Sequence, residues 1–154
     1  MSMIKLLRQL GKVKISLDFM EGEIRGRDQD DIIKLDKKFF SNTREVEVKI
    51  GETAFKMYVP SYADFLVLKL VSARPSDVRD IATLFWKNKL PKNLKTRLRD
   101  LVGNPGLAGR KVKAVIAEIS HENFVNSWRG TFVSTEFGEK EKKGVLKTMK
   151  GLQT

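Results

Sequence analysis

A change of hydrophobic period at Pro60 constrains the fold of this chain more than any other feature of its sequence. Apolar and polar residues alternate over 45–59 on both sides of a turn at 51–53. This alternation around a turn predicts a β-hairpin with one buried and one solvated face. After Pro60 the apolar residues follow a helical period, and Ser61 with Asp64 three residues later resembles a capping box. We therefore expect strands before residue 60 and helices after it.

The other periodicities extend this division to the whole chain. Residues 2–10 have a helical period, and residues 12–20 alternate as a strand does. Helices are expected at 65–73, 77–87, 91–102, 112–119 and 145–152. The 154 residues suffice for one domain and are too few for two. The predicted class is α/β in an α+β arrangement, with a small mixed sheet over 1–60, packed by helices, and a helical half over 61–154.

Composition restricts the chemistry that the chain can perform. It has no cysteine and one histidine, which excludes disulfides and cysteine nucleophiles and disfavours a zinc site. No apolar run approaches the ~20 residues of a bilayer span, and the first ten residues lack signal-peptide features. We expect a cytoplasmic protein without a membrane partner. The lone His121 follows a predicted helix, where a surface or helix-end role is the simplest interpretation.

The charge balance favours an anionic partner. Thirty basic residues against nineteen acidic ones give a formal net charge of +11. Six basic residues lie within 87–99 without an acid: Lys87, Lys89, Lys92, Lys95, Arg97 and Arg99. A solvated helix face, as in the Lys-rich proteins of hot environments, explains this cluster. The functional alternative is a non-enzymatic nucleic-acid-binding or protein-interaction module that uses this basic helical face.

A single lysine, Lys69, lies within an otherwise apolar predicted helix. A lysine in such a place is costly unless it reaches solvent or meets a carboxylate or phosphate. Asp77 and Asp80 share a face of the next helix, and a short loop can bring Lys69 or Arg74 against them. Two interpretations remain open: an ion-pair cluster that joins two helices, and a functional site.

The segment 59–81 has the pattern Val-Pro-Ser-x-x-Asp-(apolar)-x-x-x-Lys-Leu-x-x-x-Arg-Pro-x-Asp-x-x-Asp-Ile. This pattern resembles the helical half of minimal nucleotidyltransferases of the DNA polymerase β-like superfamily, which includes the AbiEii-type abortive-infection toxins. The resemblance covers about residues 5–85. It implies that Mg²⁺ and an NTP are bound and that Lys69 neutralises triphosphate charge. It also implies nucleotide contacts for Arg74, catalytic roles for Asp77 and Asp80, and a catalytic metal carboxylate at Asp18.

The sequence departs from this family before Asp18. The family's metal site begins with Gly-Ser and an Asp-x-Asp pair, whereas the 17 residues before Asp18 contain neither Asp nor Glu. The single Asp-x-Asp, over 28–30, follows Asp18 and is interpreted as a solvated loop. One carboxylate does not hold two Mg²⁺ ions, since Mg²⁺ bound by one Asp keeps most of its water. We expect a truncated or inactive relative, with a partner chain that supplies the missing motif or a homodimer through an open sheet edge.

Overall fold

The computed structural model describes residues 4–10, 13–19, 23–25 and 32–153, the first three ranges by their backbone alone. Within these residues the strands form three antiparallel pairs. The first pair is β1 (Ile4–Leu10) with β2 (Val13–Phe19). The second is β3 (Glu23–Arg25) with β4 (Ile32–Lys34), and the third is β5 (Arg44–Ile50) with β6 (Thr53–Val59). Each strand pairs with its neighbour in sequence.

These pairs confirm some expectations about the first 60 residues and correct others. The strand over 12–20 and the hairpin over 45–59 are confirmed. The helix predicted over 2–10 is wrong, because residues 4–10 form β1 and pair in continuous register with β2. A helix of that length is marginal alone, and pairing with an adjacent alternating strand satisfies its backbone instead. The described strands form three two-stranded ladders rather than one mixed sheet. The Asp-x-Asp segment at 28–30 lies outside the described residues.

Seven helices are described between residues 37 and 150. They are α1 (Lys37–Ser41), α2 (Tyr62–Ser72), α3 (Pro75–Lys87), α4 (Leu94–Leu101), α5 (Pro105–Ser120), α6 (Phe124–Phe132) and α7 (Glu139–Lys150). The α+β class is thereby confirmed. None of the described helices has the length and apolar character that a bilayer crossing requires.

Local sequence explains where two of these helices begin. The Ser61 hydroxyl accepts the Asp64 N–H at 3.2 Å and donates to the Asp64 carboxylate at 2.8 Å, so the capping prediction for α2 is confirmed. Asn104 caps α5 by accepting the N–H groups of Gly106 and Leu107. Residues 104–106 therefore form the start of a helix, with a proline in its first turn.

The core lies among the helices. Buried apolar side chains of α2 to α7, together with Ile33 and Phe39, form one hydrophobic cluster. Helix α2 is its centre, since Leu66, Val67 and Leu70 are fully buried. By contrast, the side chains on the predicted buried face of the hairpin of β5 and β6 that the structure describes are only half-buried, so that face is incompletely covered; they are Val46, Val48, Phe55, Met57 and Val59.

Candidate functional site

The junction between α2 and α3 brings two charged helix segments together. Helix α2 ends at Ser72, and Ala73 adopts the left-handed conformation with φ 46°. The Ala73 N–H donates to the Lys69 carbonyl at 2.9 Å, which closes the last turn of α2. Arg74 is the N-cap of α3 and Pro75 is its first residue. This two-residue connection places the first turn of α3 beside the last turn of α2.

Four side chains meet at this junction, and we call Lys69, Ser72, Asp77 and Asp80 the Lys69 cluster. The Lys69 ammonium donates to Asp77 Oδ1 at 2.6 Å and to Asp80 Oδ2 at 2.9 Å. The Ser72 hydroxyl donates to Asp77 Oδ2 at 2.6 Å. The predicted meeting of Lys69 with the two aspartates is thus confirmed, and Ser72 is a member that the sequence reading missed. The sequence signal for this contact is the position of Ser72 five residues before Asp77, across the short junction between the two helices.

The contacts of the cluster stabilise the charged forms of Lys69 and Asp77. Burial by itself lowers the pKa of Lys69, but the hydrogen bonds and negative charges of Asp77 and Asp80 outweigh burial and raise it. Burial raises the pKa of Asp77, yet its bonds to Lys69 and Ser72 and to the backbone of Arg74 lower it overall. Lys69 therefore remains a cation and Asp77 an anion at neutral pH. This arrangement stabilises charge and does not supply a proton acceptor at Lys69.

Solvent access differs among these side chains. The side chain of Asp77 is 10% exposed, whereas that of Asp80 is 39% exposed. Arg74 is exposed, and its side chain forms no ion pair within the part of the chain that the structure describes. A ligand can therefore reach Asp80 and Arg74 without dismantling the bonds of Asp77.

The predicted metal carboxylate Asp18 is described only by its backbone. It lies in β2, opposite Lys5 in the register with β1. Among the described residues, no group of three or more acidic or histidine side chains is arranged to hold a metal ion. A role for Asp18 in binding Mg²⁺ stays a prediction.

Arg97 is buried, which corrects its assignment to a nucleic-acid-binding face. Its side chain is 1% exposed, and its Nε donates to Asp64 Oδ1 at 2.5 Å. The guanidinium also lies 3.8 Å from Asp36 and 3.5 Å from Asp100. Arg97 lies three residues after Leu94 and four before Leu101, on the leucine stripe of α4. Helical spacing therefore identifies it as inward-facing, and Asp64 on α2 is its partner.

The rest of the predicted basic face is exposed. Lys89, Lys92, Lys95 and Arg99 are exposed, and we call these four residues the α4 basic surface. Lys87 is also exposed, but its ammonium lies 2.8 Å from Glu136 and 3.8 Å from the centre of the Trp86 ring. Helix α4 begins at Leu94, later than the predicted start at residue 91.

Trp128 and His121 differ in exposure. The Trp128 ring is buried, and its indole N–H donates to the Thr83 hydroxyl at 2.8 Å. His121 is an exposed residue at the C-terminus of α5, as expected. Comparison of the chain with protein-family models, with curated proteins and with solved structures finds no match. Functional proposals therefore depend on the geometry described above.

Proposed function

We propose that this chain is a nucleotidyltransferase-like protein that binds Mg²⁺–nucleotides at the Lys69 cluster and Arg74. The observation that carries the proposal is the convergence of the Lys69 ammonium on Asp77 and Asp80, at 2.6 and 2.9 Å. The resemblance to nucleotidyltransferases rests on these same residues, which lie on two different helices. A cytoplasmic location is part of this proposal.

The charge of the cluster indicates which form of nucleotide it favours. One lysine and two aspartates give the cluster a formal net charge of −1, which disfavours a free triphosphate. Mg²⁺ is commonly bound through one or two carboxylates together with substrate phosphates. The residues fit a metal ion that arrives with its nucleotide, with Asp80 as the accessible carboxylate and Asp18 as a second one by resemblance. Mg²⁺ supplies neutralisation of phosphate charge in such a site.

The chain's own residues then have separate tasks. Arg74 offers an exposed guanidinium at the start of α3, where phosphate oxygens are also favoured by the helix dipole. Lys69 holds Asp80 in place and lowers the net negative charge beside the phosphates. Nucleotidyl transfer is not assigned to the isolated chain, because the described residues offer too few carboxylates for two metal ions.

Isothermal titration calorimetry with each of the four Mg²⁺–NTPs tests this proposal. We expect weak binding, in the millimolar range, and a loss of about fivefold in Arg74→Met or Asp80→Asn. Arg110→Met is the matched control, because it removes the same charge from an exposed position on α5. Absence of heat with every Mg²⁺–NTP, or equal weakening in Arg74→Met and Arg110→Met, contradicts a nucleotide site here.

A second function, nucleic-acid binding, is favoured by the charge distribution. Residues 81–117 contain nine basic side chains and one acidic one, so this segment carries +8 of the net +11. The single acid, Asp100, lies 3.4 Å from Lys38 and 3.5 Å from Arg97 and is therefore already paired. We propose that the α4 basic surface contacts the phosphates of a single-stranded RNA or DNA.

Fluorescence anisotropy with a labelled 20-nucleotide RNA, measured over a salt series, tests this second function. The triple variant Lys92→Glu/Lys95→Glu/Arg99→Glu should weaken binding. It should also reduce the slope of log K against log salt concentration by about two to three, because fewer counterions are released. The control, Lys140→Glu/Lys143→Glu/Lys147→Glu, changes the net charge equally on exposed positions of α7. Equal weakening in both triple variants indicates attraction by overall charge and contradicts a specific surface.

A further inference from the structure

A cleft between α3, α5 and α6 has no role in either proposed function. It has an empty volume of about 350 Å³, counted with the solvent space at its mouth. Its lining includes Arg79 from α3, Glu118 and His121 from the end of α5, and Asn123 and Ser127 from α6. The cleft therefore joins polar side chains from three helices, with a cation and an acid among them.

Arg79 is the anchor of this cleft. Its Nη1 donates to the Ser127 hydroxyl at 3.2 Å, which fixes the guanidinium across the α3–α6 contact. Its Nε is buried and has no hydrogen-bond acceptor among the described residues. A buried guanidinium N–H without an acceptor is costly, and buried donors in proteins are normally satisfied by protein, water or ligand. The geometry thus leaves an unsatisfied donor in a cationic side chain that lines an open space.

Two further groups beside Arg79 offer donors. His121 Nδ1 accepts the Asn123 N–H at 3.4 Å, so the ring donates from Nε2. Within the described residues, the N-cap residue Asn123 makes no side-chain capping bond to the first-turn N–H groups of α6. The partial negative charge at the C-terminus of α5 is offset by Lys142, whose ammonium donates to the His121 carbonyl at 2.8 Å.

Glu118 is the one acidic residue in the lining, and it is exposed. A carboxylate beside an anion site repels a fully ionised oxyanion such as sulfate. It accepts a hydrogen bond from an oxyanion that retains a proton, as inorganic phosphate does at neutral pH. The combination of Arg79, a histidine donor and one carboxylate therefore suits protonated phosphate better than sulfate.

We propose that the cleft binds inorganic phosphate, with Arg79 as the main ligand and Glu118 as the residue that selects phosphate over sulfate. Arg79 donates to two phosphate oxygens through its planar fork after a small adjustment of the side chain. Ser127 and His121 donate to the remaining oxygens, and the Glu118 carboxylate accepts a hydrogen bond from the phosphate O–H, which keeps its proton. This site shares no residue with the Lys69 cluster or with the α4 basic surface.

A titration followed by ¹H–¹⁵N NMR at constant ionic strength, with inorganic phosphate, sulfate and phenyl phosphate as probes, tests the proposal. The Arg79 Nε–H signal and the first-turn amides of α6 should shift and saturate with phosphate at millimolar concentration. Sulfate and the ionised ester phenyl phosphate should bind about tenfold more weakly, because neither offers Glu118 a proton. Tighter binding of phenyl phosphate than of phosphate overturns the assignment of free phosphate as the ligand.

Variants separate the roles of the two charged residues. Arg79→Met should weaken phosphate binding at least about tenfold, while Arg44→Met, an exposed arginine on β5, should leave it unchanged. Glu118→Gln changes an exposed residue and should bring sulfate affinity to within about twofold of phosphate. A shift that does not saturate, equal effects of Arg79→Met and Arg44→Met, or an unchanged phosphate preference in Glu118→Gln overturns the proposal. The two sites are tested independently: loss of Mg²⁺–NTP binding with phosphate binding retained contradicts only the nucleotide site, and the reverse result contradicts only this one.

Discussion

Replacement of Arg97 by methionine tests whether the buried ion pair of α2 and α4 stabilises the fold. Arg97 is 1% exposed and the Asp64 side chain is fully buried, so neither charge is solvated by water. Without Arg97, the Asp64 carboxylate keeps the Ser61 hydroxyl and its helix-cap position but has no cationic partner in contact. Removal of one partner from a buried ion pair costs about 3–5 kcal/mol, mainly through the charge left behind. We expect Arg97→Met to lose that amount of unfolding free energy.

Thermal and urea unfolding measure this loss. For a chain of this length each 1 kcal/mol lowers Tm by about 3 °C, so Arg97→Met should melt about 9–15 °C below the parent. Arg99→Met is the matched control, because it removes the same charge from an exposed position on the same helix and should change stability by less than about 0.5 kcal/mol.

A double variant distinguishes the cost of an unpaired buried charge from the cost of losing the packing of the side-chain methylene groups. Asp64→Leu/Arg97→Met removes both charges, and a buried ion pair is often replaced by apolar residues at little cost. We expect the double variant to be more stable than Arg97→Met alone. This prediction is refuted if Arg97→Met costs no more unfolding free energy than Arg99→Met, or if the double variant is no more stable than Arg97→Met.

Four further predictions concern other side chains. The fold lowers the pKa of Asp77 below its ordinary value of 3.8. The ionised carboxylate therefore contributes stability at pH values above 3.8, and this contribution is lost as the pH falls below 3.8. Asp77→Asn should flatten the acid side of a plot of Tm against pH. Because the pKa of Lys69 is raised, stability of the same pair should be lost at alkaline pH only above 10.5. Val133 is 92% exposed with φ 48°, so Val133→Gly should raise stability by about 1 kcal/mol; a fall in Tm contradicts this. Thr83→Val should cost about 1–3 kcal/mol by leaving the Trp128 N–H unpaired, whereas Thr83→Ser should retain most of that stability in urea unfolding.

The fold was predictable wherever local periodicity and local chemistry agree. The hairpin of β5 and β6 and the helix α2 follow from alternation, a turn and a capping pair within a few residues of each other. Residues 4–10 were not predictable from their period. Their apolar residues have helical spacing, but the segment forms a strand because it pairs with the adjacent strand β2. Helix α6 is absent from the predicted helices, because Phe124, Val125 and Trp128 span too few turns to define a helical period.

The candidate site was predictable only for contacts between neighbouring elements. Lys69 and its aspartates are 8 and 11 residues apart, and a short junction between helices leaves few ways to arrange them. Arg97 and Asp64 are 33 residues apart, and no local pattern links them. A stretch rich in basic residues also conceals an inward-facing arginine, which only its spacing from Leu94 and Leu101 reveals.

Burial distinguishes the two charged systems that hold α2. Near its start, Asp64 meets Arg97 with both side chains out of contact with water, so this pair has no surface on which a ligand can act. Near its end, Lys69 meets Asp77 and Asp80, and Asp80 remains 39% exposed. A ligand competes with the second system at a modest cost, because water already replaces part of its contacts. The same helix therefore carries a structural ion pair at one end and, by this argument, the better candidate for a binding site at the other.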